Sequence, residues 1–261
     1  MYIDVHCHLT GEEYDEIGGL DGVIGRALEE GVGRIICSGF DLASSEQSAK
    51  ISEKYPQVYF CAGFHPSELH KYKEGDLGKI RALCKHEKCV AVGEIGLDYH
   101  FEDNPPKELQ RELFVKQLAL ADEVGLPVVL HSRDAAQETL EILQENASLL
   151  KKGGLMHCYS YSPEMTVDFL KLGLRFSFGG TSTFKNAKKT KECVERVPAT
   201  AILSETDCPY LTPVPYRGVF PNEPKNVQWV VENMAQLRNQ NKEDLEKQIL
   251  ANAQELFFKL K

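Results

Sequence analysis

Two imidazoles stand one residue apart near the start of the chain, at His6 and His8 of VHCH. Side chains at i and i+2 of an extended strand share a face, so both histidines point one way and Cys7 the other. Alone, such a pair is weak evidence, because a single strand histidine is usually a packed or a solvated residue. Its company strengthens it. Four more short apolar runs end in a side chain able to ligate a metal: GEIGLD at Glu94, PVVLHSR at His131, GLMHCYS at His157 and AILSETD at Asp207. Four imidazoles and two carboxylates brought together would repel one another or stay hydrated unless cations lay between them. The chemistry this implies is metal-assisted hydrolysis.

Six donors exceed the needs of one tetrahedral ion and suit two divalent ions with open positions. Glu94 has two oxygens and comes from a middle strand, which makes it the expected bridge. The reading gives His6, His8, Glu94 and Asp207 to one ion, and Glu94, His131 and His157 to the other. Mixed nitrogen and oxygen ligands accept zinc, manganese, iron or magnesium, with the imidazoles arguing against magnesium alone. On a phosphodiester, one ion would lower the pKa of a bound water and both would draw charge from the phosphoryl oxygens. Asp207 would hold the water and take its proton, so Asp207 and the bridging Glu94 are the expected catalytic carboxylates.

Other polar residues carry two readings each. Arg133, two residues past His131, would clamp a phosphate through two parallel bonds, or would be a surface arginine opening a helix. His65, before Pro66, would contact phosphate or orient the water, or be structural. Glu205 shares a strand face with Asp207 and would support a ligating imidazole from behind, or sit in a buried salt bridge. Asp98 would do likewise or fix the turn after Gly96. Tyr99, His100, Tyr159, Tyr161 and Phe184 would stack on bases if the site takes single strands, against ordinary packing. His70 and His86 lie in charged stretches and read as solvated. Arg217, Asn222 and Glu223 read as a wall of the substrate groove.

The elements that must position these residues follow a simple alternation. YIDVHCH, GRIICSG, VYFCAGFHP, CVAVGEIGLD, PVVLHSR, GLMHCYS, LRFSFGG and AILSETD are eight candidate strands, separated by stretches of helical period. Their near-continuous apolar character suits parallel strands covered on both faces. Leu109, Leu113, Leu120 and Val124 fall at helical spacing, and Asp134 stands where an N-cap should open the next helix, with Leu140 and Leu143 on one face. Eight strand-helix units predict a single-domain (β/α)8 TIM barrel over residues 1–261, with an open doubly wound sheet as the fallback. The barrel form would set the six ligands at its C-terminal mouth. After the eighth strand, PYLTPVPYRGVFPNEP carries five prolines and reads as a stiff functional loop. Val227, Val230, Val231 and Met234 then mark one helix, and Leu245, Ile249 and Leu256 another.

Bulk composition narrows the partners. Thirty basic against thirty-nine acidic residues give a net charge of -9, which argues against binding nucleic acid by charge alone, although ions bound at acidic residues would offset this locally. Eight cysteines with no CxxC pair read as reduced thiols, buried at Cys37, Cys61, Cys89 and Cys158. No apolar run approaches the roughly 18 residues of a membrane span, and the five residues ahead of His6 leave no room for a secretory leader. The expectation is a cytoplasmic protein without membrane or stable protein partners.

The motifs IDVHCH, GFHP, GEIGLD, HSR, HCYS and ETDCPYL, in that order, resemble the TatD family of metal-dependent deoxyribonucleases in the amidohydrolase superfamily. PVPYRGVFPNEP resembles that family's loop after the last strand. The resemblance covers nearly the entire chain. It implies a TIM-barrel hydrolase with a divalent-metal centre and DNA exonuclease activity of the 3'-5' type, acting on DNA or nucleotides. It supports the six ligand positions residue by residue, including Glu94 where several amidohydrolase relatives bridge their metals with a modified lysine. A two-metal hydrolase of a small ester, amide or phosphoester is the alternative, since fold does not fix substrate. A noncatalytic metal-bound interaction protein is the third reading, disfavoured because a purely structural site would be closed.

Overall fold

The computed structural model describes all of residues 1–261. Strands form where the short apolar runs predict them: β1 (Tyr2–Cys7), β2 (Val32–Ser38), β3 (Val58–Ala62), β4 (Cys89–Asp98), β5 (Val128–Arg133), β6 (Gly154–Met156), β7 (Leu174–Phe178) and β8 (Ile202–Ser204). Between them run α1 (Gly19–Glu29), α2 (Leu42–Lys54), α3 (Asp76–Leu83), α4 (Lys107–Val124), α5 (Ala136–Glu145), α6 (Pro163–Lys171) and α7 (Lys188–Arg196). Two more helices, α8 (Val227–Leu237) and α9 (Lys242–Leu256), follow the last strand. The eight strands form one sheet in chain order, the (β/α)8 TIM-barrel arrangement. A doubly wound sheet would reverse its order at a switch point, and this one does not. No helix is long and apolar enough to cross a membrane.

The chain divides into two compact units, one of Met1–Cys37, Cys158–Val167 and Phe176–Glu255, the other of Ser38–His157, Asp168–Arg175 and Leu256–Lys261. In the first, β1 pairs with β2 and β7 with β8, over a core that includes Val5, Ile35, Phe176 and Leu203. The inward face of α8 is Val227, Val230, Val231 and Met234, all buried at the predicted spacing. In the second, β3 to β6 pair in sequence, and every residue of β4 is buried. Helix α4 covers this unit with Leu113, Phe114, Leu118 and Leu120. Burying one such side chain contributes about 1.5–3 kcal/mol, so truncating Leu113 to Ala would cost about 2–5 kcal/mol.

Two irregularities recur at positions that matter. On β1, Asp4 pairs with Ile35 and Cys7 with Cys37, so β1 advances one residue further than β2 across His6. On β4, Val92 pairs with Val128 and Ile95 with Leu130, which is the same one-residue excess across Glu94. A bulge of this kind re-aims the side chain it contains. Each unit thus places one predicted ligand on a bulge.

Several local expectations need correction. Strand β4 runs past Glu94 to Asp98 and β5 past His131 to Arg133, whereas β1, β6 and β8 stop at Cys7, Met156 and Ser204. His8, His157 and Asp207 therefore lie just beyond their strands. Asp134 does not cap α5: the cap position is Ala135, and Asp134 instead has φ 51° and meets His100 Nδ1 at 2.7 Å. All eight cysteines are reduced, but Cys158 is half-buried rather than buried, again with a positive φ.

Candidate metal centre

In the first unit, His6, His8 and Asp207 converge. Asp207 Oδ1 lies 3.7 Å from His6 Nε2 and 3.6 Å from His8 Nε2, and the two rings meet edge to face at 5.1 Å. The shared face expected from i, i+2 spacing is realised although His8 is past the strand. Backbone bonds fix this geometry: the Asp207 N–H donates to His6 O at 3.0 Å, and the His8 N–H donates to Cys208 O at 2.7 Å. Asp207 itself has φ 55°, a left-handed conformation that aspartate tolerates better than most residues.

Behind this trio is a pair that sequence reasoning missed. Asp4 is fully buried and accepts from the Thr206 N–H at 2.9 Å and from Thr206 Oγ1 at 2.5 Å. Burial pushes the Asp4 carboxyl up to about 8, against the opposing effect of the Thr206 bonds. A carboxylate inside the apolar run YIDVHC was the available signal. Glu205, the predicted support for an imidazole, is also fully buried and accepts from Ser177 Oγ at 2.5 Å.

In the second unit, imidazoles surround Glu94. Its Oε1 lies 2.8 Å from His157 Nε2, 2.9 Å from His131 Nδ1 and 3.4 Å from His65 Nε2. Glu94 is only 2% exposed, so these contacts are shielded from water. The Glu94 N–H donates to Gly39 O at 2.9 Å, and the His65 N–H donates to Phe40 O at 2.8 Å. Asp41 follows immediately and caps α2, accepting from the Ser44 N–H while Ser44 Oγ accepts from the Asp41 N–H. The capping box therefore anchors the segment that backs Glu94.

Asp98 holds His131 from the other side, with Oδ2 at 3.0 Å from Nε2. It also accepts from the His100 N–H and from Asn104 Nδ2, while its own N–H donates to Gln110 Oε1. Both readings of Asp98, imidazole support and turn fixture, are thus realised together. Burial favours the neutral acid, but bonds from His131 and the His100 N–H outweigh it and hold Asp98 below the usual carboxylate range. Burial likewise works to lower His131, and the Asp98 and Glu94 carboxylates prevail to raise it. The ring thereby turns Nδ1 toward Glu94 and His157. Close approach of β4 to β5 requires Gly96, where a Cβ would lie 1.9 Å from His131 O and φ is +143°.

His65 belongs to this cluster by contact. The Ser67 N–H donates to its Nδ1 at 3.2 Å, so in the neutral ring the proton sits on Nε2, facing Glu94. Burial and the neighbouring His131 charge lower its pKa, consistent with that neutral tautomer.

The donor chemistry fits divalent ions. His6, His8 and Asp207 form one set and Glu94, His131 and His157 another, and within each set the ligand atoms lie within 4.8 Å of one another. Two imidazoles and a carboxylate leave coordination positions open, as water-activating sites require.

The remaining candidates divide. Arg133 is exposed, its guanidinium 5.0 Å over the Phe101 ring. Tyr159 is buried with its hydroxyl donating to Ser162 O, so packing, not base stacking, explains it. Tyr161 packs edge-on against Tyr159, and Lys107 lies 4.1 Å over Tyr99. His70 is exposed as expected, while His86 is half-buried against Phe60. Asn222 and Glu223 are anchors more than a wall: Asn222 is buried and donates to Thr206 O and Tyr210 O, and Glu223 pairs with Arg26 and Lys225. Arg217 is exposed on the proline-rich loop, 4.1 Å over Phe184.

This fold and donor set suit a metal-dependent hydrolase, and comparison with known proteins agrees. The family model described as TatD related DNase matches residues 3–258. An uncharacterized metal-dependent hydrolase of Bacillus subtilis, YabD, is 44% identical over 257 residues, 98% of this chain and 99% of that one. YcfH of Escherichia coli, described in the same words, is 34% identical over 98% of this chain and 95% of its own. The crystal structure of the TatD homologue YjjV from Escherichia coli superposes with a TM-score of 0.92 at 31% identity, covering 98% of both chains. The chain belongs to the TatD family.

Proposed function

We propose that the protein is a deoxyribonuclease that cleaves phosphodiester bonds of DNA from an end, in the 3'-5' sense, with one divalent ion in each ligand cluster. The observation that carries this reading is the pair of two-histidine, one-carboxylate sets, found in a chain whose family model is that of TatD related DNases. Divalent ions, when bound, lower the pKa of water and draw charge from phosphoryl oxygens.

The residues of the chain divide the remaining work. Asp207 is the partly exposed carboxylate of its set, at 15% of its side chain, so it can orient the attacking water and accept its proton. Glu94, His131 and His157 provide the second set, with Asp98 keeping His131 turned inward. His65 presents an N–H beside Glu94 and can donate to a phosphate oxygen. Arg133, exposed on β5, can take a phosphate through its guanidinium. Buried Glu205 supports the first set from beneath Asp207, on the same strand extension.

The test is release of mononucleotides from an end-labelled single strand with added zinc, manganese, iron or magnesium, alongside elemental analysis of the purified protein. Two ions per chain and cleavage lost in His6→Ala are expected. Hydrolysis of small esters or amides with no action on DNA would sink the reading.

A further inference from the structure

The proline-rich loop has a surface that the ligand clusters do not explain. Of the ten large apolar residues exposed in the chain, five fall between Tyr210 and Phe220. Tyr210 is 54% exposed and Phe220 is 61% exposed, with ring centroids 6.5 Å apart at a shallow 38° tilt. Exposed aromatic residues concentrated in one segment mark a binding surface rather than chance. The loop is held in place: Asn222 donates to Tyr210 O at 2.7 Å, and the Tyr210 N–H donates to Asp207 O at 3.0 Å. The platform is therefore tied by a turn to the candidate general base.

Charge identifies the occupant. Against a net charge of -9 for the chain, residues 184–191 (FKNAKKTK) carry four lysines and no acid, and residues 208–222 carry Arg217 and no acid. The two segments touch. The Val214 N–H donates to Thr183 Oγ1 at 2.9 Å, and Arg217 stacks 4.1 Å over Phe184. Lys185, Lys188 and Lys189, one, four and five residues past Phe184, are exposed. A basic surface interleaved with exposed rings suits a polyanion whose bases are free to stack, and duplex DNA hides its base faces.

We propose that the loop after β8 and the segment opening α7 together form a binding surface for single-stranded nucleic acid. Tyr210 and Phe220 stack on bases while Arg217 and the lysines hold phosphates. The choice of nucleic acid rests on the nuclease reading above, but the surface lies outside both ligand sets and can be tested apart from them.

The test is fluorescence anisotropy on the full-length, metal-supplemented protein with a labelled phosphorothioate 12-mer of thymidine, which resists cleavage, and an abasic 12-mer of equal charge. The wild type should bind the thymidine strand at least about tenfold more tightly than the abasic one, since stacking strengthens binding by roughly tenfold per platform. The pair Tyr210→Ala, Phe220→Ala should remove most of that difference and leave abasic binding unchanged. Lys185→Gln with Lys189→Gln should reduce the slope of log affinity against log salt by about 1.4. All four residues are exposed, so circular dichroism should be unchanged. No binding by the wild type, equal affinity for both strands as an acidic protein partner's site would give, or variants indistinguishable from wild type would overturn the proposal. Cleavage assays on the same proteins separate the two readings. Binding with no cleavage keeps the surface and removes the nuclease, and cleavage with both variant pairs behaving as wild type does the reverse.

Discussion

Glu94 has three imidazoles within 3.4 Å of one carboxylate oxygen, whereas Asp207 stands 3.6 and 3.7 Å from its two. The difference lies in what stands behind each. Glu94 and His131 sit within long paired strands, with Asp98 bracing the ring and the Asp41 cap anchoring Gly39. Asp207 sits on a connection three residues beyond β8, in a left-handed conformation, with its N–H bonded to His6 O of β1 and the next residue, Cys208, accepting from the His8 N–H. A set braced by paired strands and by Asp98 is suited to retaining an ion. A carboxylate at a turn, partly open to water, is suited to moving a proton.

That contrast can be attacked from both sides. Asp207→Asn keeps the shape and removes the base, so turnover on a labelled single strand should fall by about 10²–10⁴-fold, while the Glu94 set keeps its ion by elemental analysis. Activity within tenfold of wild type would mean that the proton goes elsewhere. Gly96→Ala should damage the braced set, because the new Cβ meets the His131 carbonyl and strains a left-handed residue. A loss of about 3 kcal/mol in urea unfolding is expected, with metal retention lowered as well.

Asp98→Asn should act more gently, since it weakens the support and not a ligand. Metal affinity of one site should drop by about 10–100-fold by calorimetry, leaving the second site as in wild type. Equal weakening of both sites would show that Asp98 does not act through His131 alone.

The smallest effect belongs to Asp41. Burial pushes its carboxyl up, but bonds from Lys71 and Ser44 more than offset this and hold it below its ordinary 3.8. A depressed folded value means the carboxylate's stabilisation is complete above the ordinary value and is lost as pH falls through the folded one. Asp41→Ala should therefore cost about 1 kcal/mol at neutral pH. The gap from wild type in urea unfolding should narrow below pH 3.8; a gap constant down to the lowest pH would show that the charge contributes nothing.

The order of strands and helices was legible because each short apolar run and each helical stripe carries its own period. The predicted face of α8 is the observed one. Local chemistry misled where a tertiary partner competed for the same group: Asp134 reads as a cap, yet His100 takes it and α5 opens without one. Of the two readings of Tyr159, base stacking and ordinary packing, the second holds: Phe176 packs edge-on at 4.8 Å and the ring is buried. Asp4 stands out in the sequence only as a carboxylate inside an apolar run, and its partner Thr206, 202 residues away, is supplied by the fold.

For the site, the sequence by itself determined which donors accompany which apolar run: His6 and His8, Glu94, His131, His157 and Asp207. Side-chain identity and alternation are local properties, and they suffice to nominate donors. Only the tertiary structure decided how those donors are aimed. The extra residue that re-aims His6 and Glu94, the Nδ1 face of His131 and the turn that brings Asp207 to the histidines all depend on register against a neighbouring strand or on a bond to distant chain. Hydrogen-bond register is a relation between segments, and no single segment encodes it.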